Sequence, residues 1–277
     1  LFSMLFGASL YMVGGERADK ERGAVLRRRL FWLLIFGLVH ALLLWFGDIL
    51  VTYALTGFLV LFARSWRPAT LIIVGVILII IATLLSAMLG IFYDYIPAAK
   101  INEIRAEYWS PSAESIAEAI ARYQTGAWSA TLANMSLWLE FLGNSVFFMV
   151  IRTAGVMMIG MALFKLGFLS GNAPGWVYWL ALALGAAALV LIAWQAQVNI
   201  AAGFSFEHMQ RSGLFANGAL AIFVSIGYAA LFVLMVKLGA RLLSEPLAAV
   251  GRMAFTNYIM QSLIMTTIFY GGGGARP

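Results

Sequence analysis

Residues 30–50 read LFWLLIFGLVHALLLWFGDIL and decide the fold class, because His40 and Asp48 are the only ionisable side chains in this apolar stretch. Similar runs of about 17–24 residues recur along the chain, and this is the length at which a helix crosses a bilayer. The 277-residue chain is 63% hydrophobic and 11% charged, with a mean hydropathy of +0.92. Soluble proteins are about a quarter charged. We therefore predict an all-α fold, a polytopic bundle of transmembrane helices.

Eight apolar segments alternate with polar connections and predict about eight spans. Only Gly47 and Asp48 separate the second segment from the third, which predicts a tight helical hairpin. The connection 93–143 is rich in acidic residues, and Ser112 is expected to be the N-cap of a helix within it. We predict one integral-membrane domain over residues 1–277, with 93–143 as a polar extracytoplasmic insertion that forms a helical cap. The eight segments are 1–13, 30–47, 49–63, 69–92, 144–164, 176–196, 216–236 and 248–270.

Lysine and arginine are distributed unevenly over the connections, and this predicts the orientation. Every second connection, beginning with 14–29, carries twelve basic residues in total, against five in the opposite set. Since basic loops face the cytoplasm, the first set is predicted to be cytoplasmic and 93–143 and 197–215 extracytoplasmic. The net charge of +6 then reflects topology, and no nucleic-acid partner is expected. The chain has no cysteine and only two distant histidines, so neither a disulfide nor a metal site is predicted.

His40 and Asp48 are the candidate catalytic residues. An ionisable group deep in a span is costly unless it faces the bundle interior or a wet cavity. His40 is interpreted either as a general base or as a side chain that only hydrogen-bonds a neighbouring helix. Asp48 follows eight residues later, about 12 Å along a straight helix, which excludes a direct pair with His40 in such a helix. Asp48 is expected to cap the next helix or to line the outer mouth of the cavity that His40 faces.

The remaining candidates are basic or polar residues in or near the spans. The run that begins at Arg27 is either a topology anchor that touches lipid headgroups or a site for a phosphorylated ligand. Arg152, inside a span, requires a carboxylate partner, Asp48 or Glu140, or a water-filled cavity. A polar stripe in the last segment is either helix–helix contact or a binding surface. The candidate substrate-binding residues are Arg27, Arg28, Arg29, Arg152, Arg252, Asn257, Tyr258 and Gln261.

Three stretches together resemble the YeiB-like family of bacterial inner-membrane proteins: LFSMLFGASL, RRRLFWLLIFGLVHALLLWFGDILVTYALTGFLV and VGRMAFTNYIMQSLIMTTIFYG. The most specific features are GxxHxxxxWxGDIL, from Gly37 to Leu50, and GRMAxTNYxxQ, from Gly251 to Gln261. The resemblance covers nearly all of the chain, more loosely over 93–143 and the fifth to seventh segments. Two features of the family are absent, an initial helix with an Asp-xx-Arg-Gly motif and a Gly-Pro-Leu-Glu-Trp-like tail. The chain is therefore expected to be a fragment of a longer protein.

The resemblance implies a multi-pass protein of the bacterial inner membrane, in a family grouped distantly with integral-membrane acyltransferases. Those enzymes use a membrane histidine and carry an acyl group from cytoplasmic acyl-coenzyme A to an acceptor outside. The first functional hypothesis is accordingly a transmembrane acyltransferase in which His40 removes the acceptor's proton and Asn257 or Arg152 stabilises the oxyanion. Its partners would be membrane lipid, the acyl donor and the acceptor, with no tightly bound cofactor.

Two alternatives stay open on the same residues. A secondary transporter or exporter of a small anionic solute would use Arg152, His40, Asn257 and Gln261 as its binding site and proton relay. A membrane scaffold would use the polar side chains only to hold helices together.

Overall fold

The computed structural model describes residues 1–269 and confirms the all-α prediction, with no strand among those residues. A 3-10 turn follows α3 at Leu61–Ala63, and a π-helix follows α10 at Met209–Gly213. The α-helices are α1 Phe2–Gly14, α2 Lys20–Leu43, α3 Leu50–Val60, α4 Pro68–Ile91, α5 Ala98–Tyr108, α6 Ala113–Gln124, α7 Ala127–Asn144, α8 Val146–Lys165, α9 Gly175–Ala201, α10 Phe206–His208, α11 Phe215–Lys237, α12 Arg241–Arg252 and α13 Ala254–Phe269.

Four of these helices, α4, α8, α9 and α11, are long and apolar enough to cross a membrane. The helices α1 and α3, the latter with its 3-10 turn, are apolar but shorter. The chain thus has the helices of a membrane protein. All eight predicted segments fall on helices, although residue 270, the predicted end of the last one, lies outside the described residues.

Two predicted boundaries are wrong. The second segment was expected to continue to residue 47, but α2 ends at Leu43 and the connection to α3 is therefore longer than Gly47 and Asp48 alone. The segment 248–270 was expected to be one helix, but Met253 separates α12 from α13. Hydropathy did not reveal the first break, because Leu44, Trp45 and Phe46 continue the apolar run, whereas Gly251 and Arg252 directly precede the second.

The chain forms two compact units, and the larger comprises Leu1–Phe31, Tyr53–Tyr93 and Phe148–Pro246. Glycines let its helices touch backbone to backbone, as small residues do in membrane proteins. A Cβ atom built on Gly160 of α8 would overlap the carbonyl oxygen of Met4 in α1. A Cβ on Gly185 of α9 would lie 2.8 Å from the Cα of Gly227 in α11. Larger side chains at these positions would therefore separate the helices.

The smaller unit comprises Trp32–Thr52, Asp94–Phe147 and Leu247–Pro277, of which the structure describes the part up to residue 269. The polar connection forms helices α5 to α7. Ser112 caps α6, as predicted, because its hydroxyl accepts a hydrogen bond from the backbone N–H of Ser115. The Tyr108 hydroxyl donates to Glu140 at 2.7 Å and joins α5 to α7. This bond raises the pKa of the Tyr108 hydroxyl, because the phenolate would lie against a carboxylate.

Candidate functional site

The end of α2 sets the geometry of the site in the smaller unit. The backbone N–H groups of Leu44 and Trp45 both donate to the carbonyl oxygen of His40, at 2.9 Å each, and the chain then turns back. The side chain of Asn134 in α7, itself buried, donates to the carbonyl oxygen of Leu44 at 2.9 Å and holds this turn. A Cβ on Gly37 would lie 2.7 Å from the backbone nitrogen of Val51, so only glycine permits so close an approach of α2 and α3.

This turn brings the carboxylate of Asp48 to the imidazole of His40. The distance from His40 Nδ1 to Asp48 Oδ1 is 2.9 Å, that of an ion pair, although the contact lacks hydrogen-bond alignment. Both residues are 1% exposed. The sequence analysis excluded this pair because the two residues would lie about 12 Å apart along a straight helix. That premise is wrong, because α2 ends at Leu43, before Asp48.

The carboxylate of Asp48 is fixed on both of its oxygens. Oδ2 accepts a hydrogen bond of 2.7 Å from the backbone N–H of Val51, so the predicted capping of α3 is confirmed. Oδ1 also accepts from the hydroxyl of Tyr258 in α13 at 3.3 Å, and that hydroxyl accepts in turn from the N–H of Ile49 at 3.3 Å. Such contacts hold a carboxylate in one orientation, as an orienting group beside a histidine requires.

The second ring nitrogen of His40 contacts a residue that the sequence analysis missed. His40 Nε2 lies 2.8 Å from the Oγ of Ser262 in α13. The imidazole therefore lies between a carboxylate and a hydroxyl, the order found in serine–histidine–aspartate triads. Ser262 follows Tyr258 by four residues, which places both on one face of α13. That spacing was the available signal.

A cavity of about 260 Å³ adjoins Ser262, and its lining is mostly apolar. Gln261, a predicted binding residue, also lines it. Ligand sites for small molecules begin at about 300 Å³, so the described part of this cavity suits a small group. Its lining residues are Trp45, Tyr258, Gln261, Ser262, Met265, Thr266 and Phe269.

The other predicted residues of the smaller unit lie less centrally. Asn257 is half-buried on α13, four residues before Gln261, but is not among the described residues that line the cavity. Arg252 is exposed at the end of α12. The structure thus brings together His40, Asp48 and Tyr258, adds Ser262, and leaves Arg252 outside this cluster.

The arginine run belongs to the larger unit, where Arg27, Arg28 and Arg29 are exposed on α2. The guanidinium of Arg64 is buried and donates to the carbonyl oxygens of Leu61 and Gly14. Burial, and then the charges of Arg27 and Arg17, lower the pKa of Arg64. This concentration of positive charge suits an anionic group, which is one of the two interpretations of the run.

Arg152, also in the larger unit, lines a second cavity of about 320 Å³. Its guanidinium donates to the carbonyl oxygen of Gly218 at 2.7 Å and to the Thr83 hydroxyl at 3.3 Å. The expected carboxylate partners make other contacts, Asp48 with His40 and Glu140 with Tyr108. The structure therefore favours the other predicted environment, a cavity.

Comparison with known proteins shows which proteins this sequence is similar to. The family profile described as "Protein of unknown function (DUF418)" matches residues 163–275. The uncharacterized protein YeiB of Escherichia coli (strain K12) is 31% identical over 98% of the chain and 68% of its own length. The uncharacterized protein YxaH of Bacillus subtilis (strain 168) is 31% identical over 99% of the chain and 66% of its own length. The chain spans about two thirds of both relatives. No solved structure matches it.

Proposed function

Because this chain belongs to the YeiB-like family, whose DUF418 profile names no activity, we propose its function from the site: acyl transfer by His40 and Asp48. The donor is a cytoplasmic acyl-coenzyme A and the acceptor an extracytoplasmic hydroxyl or amine. We propose that this reaction takes place in the bacterial inner membrane, which the chain crosses several times. The candidate spans support this location, and the cluster of buried polar groups supports the chemistry.

The observation that carries the proposal is the position of the His40 ring between Asp48 and a hydroxyl group, at 2.9 and 2.8 Å. A carboxylate at Nδ1 favours the tautomer that carries its proton there, which leaves the lone pair of Nε2 free to accept a proton. The same carboxylate stabilises the imidazolium that forms during the reaction. A histidine that served only to join two helices would need one hydrogen-bond partner and no buried carboxylate.

The reaction follows from this arrangement. The attacking oxygen or nitrogen loses its proton to Nε2 of His40 as it bonds to the thioester carbonyl carbon. The tetrahedral intermediate then breaks its carbon–sulfur bond, and the leaving thiolate takes the proton from His40. Gln261, which lines the cavity, is our candidate for stabilising the oxyanion in place of Asn257, which is not among its described lining residues. The small apolar cavity beside the site favours a short acyl chain such as acetyl.

The arginines near the start of α2 supply a further reason for choosing acyl-coenzyme A as the donor. Coenzyme A carries phosphate groups, and guanidinium groups bind phosphate through paired hydrogen bonds. Arg27, Arg28 and Arg29 provide such groups, exposed on α2 in the larger unit.

The test is transfer of a labelled acetyl group from acetyl-coenzyme A to envelope material, in membranes that contain the full chain. We expect His40→Gln to lower the initial rate by at least about 1,000-fold, since loss of the base removes the triad's contribution. His208→Gln is the matched control, because it is the same change at the other histidine, whose ring bonds to Asn199 in the larger unit, and it should leave the rate within a few-fold of wild type. Absence of transfer by the wild-type protein, or full activity of His40→Gln, contradicts the proposal.

A second candidate function, binding or export of a small anionic solute, is favoured by the Arg152 cavity. A guanidinium has five N–H donors, and here it lies half-buried inside a candidate span with uncharged partners. Ser212 and Asn217 also line the cavity and supply groups that can hydrogen-bond an anion. An arginine in such a place commonly marks an ion or substrate pathway.

The prediction for this candidate concerns phosphate as a probe anion. In vesicles reconstituted with the protein, Arg152→Gln should lower uptake of labelled inorganic phosphate at least about tenfold, because the cavity loses its half-buried guanidinium and keeps only Arg211, which is paired with Glu207. Arg152→Lys should retain more uptake than Arg152→Gln, since it keeps the charge. Arg122→Gln, an exposed change on α6 outside every proposed site, is the control. Equal uptake by wild type and Arg152→Gln contradicts an anion pathway at this cavity.

A further inference from the structure

We infer that Ser262 is the nucleophile of the proposed reaction and carries the acyl group as an ester between two transfer steps. The inference rests on the proposed function and deepens it, because it divides one acyl transfer into two. It assigns chemistry to a residue of α13 that the sequence analysis passed over.

The distances favour a functional contact over an ordinary helical serine. A serine inside a helix commonly donates to the carbonyl oxygen four residues earlier, which here belongs to Tyr258. That contact is 3.4 Å long, whereas the contact of Ser262 Oγ with Nε2 of His40 is 2.8 Å. Donor–acceptor distances in hydrogen bonds are about 2.5–3.2 Å, so the contact with His40 lies within the usual range and the contact with Tyr258 lies outside it. The hydroxyl is therefore bound to the imidazole in preference to its own helix.

Burial shows which group an incoming thioester meets first. His40 lines another, almost wholly apolar cavity, but the residue is only 1% exposed. Ser262 is half-buried and lines the cavity of about 260 Å³ that Gln261 also lines. Nε2, the ring nitrogen that can accept a proton, is already in contact with Ser262. The side chain that presents a reactive atom to the cavity is therefore the serine, and His40 acts through it.

The chemistry balances without a further reactant. Ser262 Oγ attacks the thioester carbonyl carbon while its proton moves to Nε2 of His40. The carbon–sulfur bond breaks, and the thiolate leaves with that proton as the free thiol, so that an acyl ester remains on Ser262. In the second step the acceptor gives its proton to Nε2 and attacks the ester carbonyl. The bond to Oγ then breaks, and the serine oxygen recovers the proton.

The experiment looks for the ester directly. The full chain, in membranes, is incubated with acetyl-coenzyme A, quenched in acid and digested, and the peptides are analysed by mass spectrometry. We expect one acetyl group on Ser262 of the wild-type protein and no such adduct in Ser262→Ala. The Ser262→Ala variant should also transfer acetyl at least about 1,000-fold more slowly than wild type, as knockouts of triad residues do. Thr267→Val is the matched control, because Thr267 lies on the same helix but is not among the described residues that line the cavity, and its hydroxyl bonds to the carbonyl oxygen of Leu263.

A second readout separates this inference from the function on which it rests. An alkyl fluorophosphonate, which reacts with activated serines, should label the wild type and Thr267→Val but neither Ser262→Ala nor His40→Gln. Normal acetyl transfer by Ser262→Ala overturns the nucleophile and leaves the acyltransferase proposal in place. Labelling of Ser262 without any transfer supports the nucleophile and contradicts acyl transfer as the function. A wild-type protein that transfers acetyl but carries no adduct on Ser262 and takes no probe also overturns the inference.

Discussion

Replacement of Asp48 by Asn is expected to lower acetyl transfer by about 1,000- to 10,000-fold while the protein still folds. The amide of Asn keeps one oxygen, and that oxygen is needed to accept the N–H of Val51 at the start of α3. The NH2 group would then face Nδ1 of His40 and favour the tautomer with its proton on Nε2. In that tautomer Nε2 has no lone pair to accept a proton from the hydroxyl beside it.

The control for Asp48→Asn is the same change at Asp19. The Asp19 side chain accepts a hydrogen bond of 2.9 Å from the backbone N–H of Arg22, three residues on, just as Asp48 does with Val51. Asp19→Asn should therefore have a similar effect on helix capping, with little effect on the transfer rate. Comparable rates for the two variants would mean that Asp48 only caps α3.

Replacement of Gly160 by Ala is expected to destabilise the protein by about 1–3 kcal/mol, the usual cost of overpacking. The added methyl group would overlap the carbonyl oxygen of Met4, a backbone atom that cannot rotate away. On helix propensity alone the change would stabilise the helix by about 1 kcal/mol. The sign of the measured change in the free energy of unfolding, in detergent micelles, therefore reports whether α1 and α8 touch here.

Gly175→Ala is the control for Gly160→Ala. Gly175 begins α9, and a Cβ atom there meets no other atom within 4 Å. We expect this variant to be as stable as wild type or slightly more so. A stable Gly160→Ala protein would contradict the close approach of α1 and α8.

Much of the fold is readable from the sequence because burial in lipid demands long apolar helices. The apolar segments predicted helices, Ser112 predicted the start of α6, and Asp48 predicted a cap for α3. The early end of α2 was hidden, because Leu44 and Trp45 are as apolar as the helix before them. Their N–H groups share the carbonyl oxygen of His40, and that choice of backbone partner leaves no trace in hydropathy.

The site was predicted only in part for a related physical reason. Charged groups inside apolar runs are costly, so His40 and Asp48 were conspicuous. A neutral hydroxyl costs little in a helix, where it can bond to a carbonyl oxygen of its own backbone, so Ser262 gave no comparable signal. Its contact with His40 also depends on two helices far apart in the sequence, which no local pattern specifies.

The sequence separations within the site bear on how the nascent chain enters the membrane. Asp48 follows His40 by eight residues, whereas Ser262 follows it by 222. At about 5–20 residues per second, the ribosome reaches Ser262 roughly 10–45 s after His40. During that interval Asp48 has been synthesised but Ser262 has not, so the imidazole can contact only the carboxylate. We expect the early pairing of these two groups to lower the free-energy cost of placing them in the membrane before α13 has been synthesised.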